Sequence, residues 1–129
     1  MFKNLTNHRL TRRQIDYYLH RIYGVLRTGR INVVLERMRK NRGLTDGETI
    51  WLDPEDRILP TIIHECLHVL YPFNKGQSDE TQEKLTLKLE KRIARRMTVR
   101  QMKKLFLLLA EQLQKSKQSP SLKRKTTPD

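Results

Sequence analysis

Apolar positions recur every three or four residues over long stretches of this chain and alternate over two short ones. Ile15, Tyr18, Leu19, Ile22 and Val25 or Leu26 carry the first helical repeat, and that period puts them on one face. Thr11 and Gln14 stand at capping-box spacing, so a helix is predicted from Thr11 to about Arg27, ended by Gly29. Ile31-Asn32-Val33-Val34-Leu35 alternates and is β-branched, with Ile31, Val33 and Leu35 on one side. Thr49-Ile50-Trp51-Leu52 is a second strand-like run. Residues 36–47, with Gly43, Asp46 and Gly47, read as a connecting loop or hairpin turn.

Asp53-Pro54-Glu55-Asp56 has the form of a helix start, with an Asp cap, Pro at the first position and acids in the first turn. Pro60 would remove a backbone hydrogen bond inside such a helix, so the helix either kinks there or starts later. On both readings 61–70 is helical and Tyr71-Pro72 ends it. Ser78 caps the next helix, with Asp79 and Glu80 in its first turn and Leu85, Leu89, Ile93 and Met97 as its buried stripe. Thr98 and Gln101 repeat the capping-box spacing before a last helix that carries Met102, Leu105, Phe106, Leu108 and Leu109. The expected fold class is α+β: a small antiparallel sheet of two strands, or three, packed on the 61–70 helix and three further helices.

At 129 residues the chain is long enough for a single core. Residues 1–10 read as a loose arm and 11–113 as the domain. Residues 114–129, rich in Lys, Ser, Pro and Thr, read as a disordered basic tail. No stretch approaches ~20 apolar residues, which excludes a membrane-spanning helix. No signal-peptide pattern opens the chain, and the single Cys66 excludes an internal disulfide. A cytoplasmic protein without a membrane partner is expected.

The chemistry is concentrated in one segment, Thr61-Ile62-Ile63-His64-Glu65-Cys66-Leu67-His68-Val69-Leu70. Its only titratable polar side chains, apart from the thiol, spell H-E-x-x-H, in a chain that is 32% charged overall. His64 and His68, at i and i+4, stack on one helix face and can reach one metal ion. Glu65 lies about 100° round the helix, where a base can take a proton from water activated by the metal. Buried in an apolar helix, these groups are costly unless something satisfies them. Cys66 points away from His64 and reads as a small buried hydrophobe.

This segment resembles the active-site helix of the zincin metallopeptidases. With a strand before it and a helix after it, residues 31–97 are similar to small SprT-like and ImmA/IrrE-like metallopeptidases. The resemblance implies Zn²⁺ as cofactor, a peptide or protein as substrate, and an edge strand beside the site that pairs with extended peptide. The third histidine of metzincins has no counterpart, because position 71 is Tyr and position 74 is Asn. A glutamate-ligand site of gluzincin type is the better match, and its spacing also allows Glu90.

If the helices flanking residue 74 run antiparallel, residues equally far from that point face each other. Glu80 and Glu83 then come closest to the histidines, and Glu80 is the favoured third ligand. Acids in a first helical turn also stabilise it through the dipole alone, so Glu83, Asp79 and Glu90 stay open as alternatives, with His8 and His20 behind them. The reading is a zinc hydrolase, most simply a peptidase, with His64, His68 and Glu80 on the metal and Glu65 as general base. Tyr71 is near enough in sequence to assist an oxyanion, although packing is the commoner use of such an aromatic. Trp51 reads as core or cleft wall.

The net charge of +13 adds a second reading. A solvated charged face is the default for such a surplus, yet it also favours non-specific contact with nucleic acid through the basic surface and tail. The alternative function is therefore a basic nucleic-acid-associated protein whose metal site is structural or vestigial.

Overall fold

The computed structural model describes residues 10–28, 31–38, 43–55, 57–72 and 78–115. The arm proposed for 1–10 lies outside these residues except for Leu10, which is buried in the core. The proposed tail lies outside them beyond residue 115. In chain order the elements are α1 (Arg12–Arg27), β1 (Asn32–Leu35), β2 (Gly43–Thr45), β3 (Thr49–Leu52), α2 (Ile58–Leu70), α3 (Asp79–Arg96) and α4 (Val99–Lys115). The class is α+β.

Both capping boxes close. At α1, Thr11 Oγ1 accepts from the Gln14 amide at 3.1 Å and Gln14 Oε1 accepts from the Thr11 amide at 2.8 Å. At α4, Gln101 Oε1 accepts from the Thr98 amide at 2.9 Å and the Gln101 amide donates to Thr98 Oγ1 at 3.1 Å. Each box satisfies amides that no helical carbonyl can reach. Arg12 then ties the two starts together, donating to the Arg96 carbonyl at 2.7 Å and to Gln101 Oε1 at 3.2 Å. Gln101 in turn donates to Asp16 at 2.8 Å.

The sheet corrects the expected pairing. Its order is β1-β3-β2, with β1 parallel to β3 and β2 antiparallel to β3. The run around 43–45, read as loop or turn, supplies the third strand. The hairpin joins β2 to β3, not β1 to β3, so the strand that follows the tight turn becomes the middle of the sheet. Gly47, at φ +92°, makes that turn, a backbone region open chiefly to glycine. Asp46 Oδ1 accepts from the amides of Glu48 and Thr49 at 2.9 and 2.8 Å, an Asx turn that closes it. Every residue of β3 is buried. On β1, Val33 joins Ile31 in the core, but Leu35 at the strand end is exposed.

α2 starts late. Asp53 does not cap it. Its carboxylate instead accepts from the Glu55 amide at 2.9 Å and the Met38 amide at 3.0 Å, fastening the exit of β1 to the end of β3. Pro60 then falls at the third helical position. The first backbone bond into the helix is from the Thr61 amide to the Arg57 carbonyl, at 3.2 Å. The missing N–H of Pro60 therefore deletes no bond, and the helix runs unbroken to Leu70. Ile62, Ile63, Cys66 and Leu67 are fully or almost fully buried, between α1, the sheet and α3. Leu89 and Ile93 of α3 and Leu105 and Leu109 of α4 complete the core. Phe106 faces outward, because it lies about 100° round α4 from Leu105.

Candidate metal centre

α2 carries both histidines on the flank that α3 covers. Their rings meet edge to face, with Nε2 of His68 3.0 Å from Nε2 of His64. Glu83 of α3 reaches over both: Oε1 lies 2.6 Å from His64 Nε2 and Oε2 lies 3.0 Å from His68 Nε2. From behind, Glu90 Oε1 stands 3.1 Å from His64 Nδ1, with the Glu90 side chain only 4% exposed.

The donor set decides what fits here. A carboxylate only accepts, so the Nδ1–H of His64 donates to Glu90 and fixes the tautomer. In the neutral ring Nε2 then presents a lone pair, aimed at a carboxylate oxygen and at the second imidazole nitrogen. Such converging acceptors need a proton or a cation between them. Two imidazoles and a carboxylate are a zinc donor set. A tetrahedral ion with ligands at ~2.0–2.1 Å spaces them roughly 3.3 Å apart, so the three groups fit it after moving apart by tenths of an ångström.

The same geometry sets the titration. Burial disfavours the His64 imidazolium, but the Glu90 hydrogen bond and the charges of Glu83 and Glu65 outweigh it and hold its pKa above the usual value. His68 moves the other way: burial and then the positive charge of His64 lower it, against partial compensation from Glu83. The Cys66 thiol is fully buried and raised by desolvation, which leaves it inert as a nucleophile.

Glu83, not the favoured Glu80, is brought to the histidines, and His64, His68 and Glu83 form a group able to hold a metal. Glu80 is 81% exposed and pairs with Lys84 at 3.4 Å. The reason is helical phase. Counting outward from residue 74 aligns heights along the two helices but not the angle around α3, and Glu80 lies about 60° further from the α2-facing side than Glu83. Glu90, weighed as a ligand, comes to the far nitrogen of His64 instead. Asp79 has no place in the group. His20 is exposed on α1, and His8 lies outside the described residues. Tyr71 packs on α1, edge-on to Tyr18 with centroids 6.5 Å apart and with the Arg21 guanidinium 5.3 Å from its ring centre. Burial pushes its phenol up to about 12.

A cleft of about 830 Å³ opens onto His64, Glu65, His68 and Glu83. Its far wall is β2, with the turn at Asp46 and Gly47. Gly43 brings that strand against α2: a Cβ there would lie 2.5 Å from Thr61 Cγ2 and 3.1 Å from Glu65 Cγ. Thr49–Leu52 is the central strand and not the edge, and Trp51, read as core or cleft wall, is buried at 2% exposure. The sequence signal for β2 was Gly43 followed by the Asp46-Gly47 turn. Comparisons with protein-family models, with curated proteins and with solved structures find no match to this chain.

Proposed function

We propose that this protein is a zinc-dependent hydrolase and that its substrates are peptides or proteins. One observation carries the reading: two imidazole nitrogens and a carboxylate from separate helices converge within 2.6–3.0 Å, with the tautomer of one ring fixed from behind. His64, His68 and Glu83 would hold the ion. When bound, zinc supplies a water acidified to a pKa near 7 and a Lewis acid for a carbonyl oxygen.

The chain's own groups do the rest. Glu65, in the cleft wall one residue from His64, takes the proton from the attacking water and passes it to the leaving amine. Glu90 keeps the lone pair of His64 on the cleft side. β2 is an edge strand along the cleft, so its free backbone groups can pair with an extended peptide and lay the scissile carbonyl beside Glu65. A purely structural metal site is closed by protein on all sides. The cleft reaching all three ligands favours catalysis.

The test measures zinc and turnover together on the full chain. About one zinc ion per chain is expected in the purified protein, lost in His64→Ala and His68→Ala. Glu65→Gln should retain zinc and lose hydrolysis of an unfolded protein substrate. Wild-type protein that takes up no zinc, or Glu65→Gln that cleaves as fast as wild type, overturns the reading.

A further inference from the structure

α3 carries a basic face apart from the one it turns to the histidines. Lys84, Lys88, Lys91 and Arg95 follow one another at i, i+4, i+7 and i+11, which lines them along one side of the helix. All four are exposed. Lys84 is the partner of Glu80. The side chains of Lys88, Lys91 and Arg95 make no ion pair or hydrogen bond with any described residue. The other acids of α3 past its first turn are Glu83 and Glu90, and both are turned to His64. The result is a straight cationic ridge roughly 16 Å long at 1.5 Å per residue.

We propose that this ridge binds the phosphate backbone of a nucleic acid without reading its sequence. The spacing fits: a strand that advances 3.4 Å per phosphate presents about five phosphates over that length. The chemistry chooses between polyanions. No apolar side chain interrupts the ridge line, so an acidic protein segment would gain little burial there and only exposed ion pairs, each worth little. A nucleic acid releases condensed counterions when its phosphates are neutralised, which drives binding on charge alone. Exposed Lys and Arg side chains on long flexible stems, with no neighbour that fixes their direction toward base edges, suit phosphate contacts that carry no sequence information. It lies about a quarter turn round α3 from Glu83, so a bound strand leaves the cleft open. The ridge does not depend on the metal.

The test is fluorescence anisotropy of the full chain with two labelled duplexes of unrelated sequence, over a series of salt concentrations. Both duplexes should bind equally, with affinity falling steeply as salt rises. The triple variant Lys88→Gln, Lys91→Gln, Arg95→Gln should keep its helical circular dichroism, lose at least roughly tenfold in affinity and lose about two to three from the log–log salt slope. A control with the same charge change on α4, Arg100→Gln, Lys103→Gln, Lys115→Gln, should change affinity much less. Four results overturn the proposal: no binding at low salt, equal losses in the two triples, strong preference for one duplex, or poly-glutamate competing as well as unlabelled duplex.

Discussion

Glu90 Oε1 lies 3.1 Å from Nδ1 of His64, and both side chains are shut away from solvent. A buried carboxylate behind a ligating imidazole fixes the ring's orientation and raises its basicity. Glu90→Gln keeps an oxygen that can accept the Nδ1–H but removes the charge. Its zinc affinity, measured by competition with a chelating dye, should fall by roughly 10- to 100-fold. Unchanged affinity would show that the pair merely satisfies two buried groups.

Glu83 and Glu80 sit three residues apart but in different surroundings. Removing a direct ligand costs more than removing an outer partner, so Glu83→Ala should weaken zinc by more than ~100-fold. Glu80→Ala, losing only an exposed pair with Lys84, should stay within a few-fold. The reverse order would restore Glu80 as the ligand and place α3 differently against α2.

Proton competition follows from the raised pKa of His64. Zinc must displace that proton, so affinity should begin to fall above the ordinary imidazole value of ~6.5 and drop about tenfold for each further unit of acidification. In Glu90→Gln one of the groups that favour the imidazolium is neutral, and the onset should move to lower pH. Calorimetric zinc titrations at several pH values read both. An onset that does not move would mean that Glu90 leaves the proton on His64 untouched.

Gly43→Ala tests the contact between sheet and helix. A methyl group 2.5 Å from Thr61 Cγ2 has to push β2 away, at a cost of about 1–3 kcal/mol. A fall of roughly 5 °C or more in Tm is expected, with loss of turnover out of proportion to any loss of zinc. Adding Thr61→Ser removes the opposing methyl and should recover part of the stability. If the double variant is no better than the single, the clash lies elsewhere, and Glu65 Cγ at 3.1 Å is the next neighbour.

Helix positions were largely legible in the sequence because their signals are local. Thr11 with Gln14, and Thr98 with Gln101, are pairs three residues apart whose bonds form within one turn. The His64–His68 pairing was legible for the same reason. What failed to show was tertiary. Strand pairing depends on which run lies next to the tight turn, and a three-residue strand such as Gly43–Thr45 has too few positions to alternate. Glu83 rather than Glu80 is a matter of how α3 is rotated against α2, which no spacing within either helix records. On α3, Gln82, Thr86 and Glu90 are buried polar residues at i, i+4 and i+8. They mark the side that faces the centre, a pattern hidden because the apolar Leu89 and Ile93 share that side.

The strand order also bears on how the chain assembles. β3 is last to emerge of the three strands yet sits between the other two. β1 therefore has no partner until the hairpin is in place. The hairpin is closed by a local turn and can zip within microseconds on its own, whereas β1 must come in across a longer loop and align in parallel. The β2–β3 ribbon is thus the natural template, and the strand that walls the cleft can be paired before β1 joins the opposite edge of the sheet.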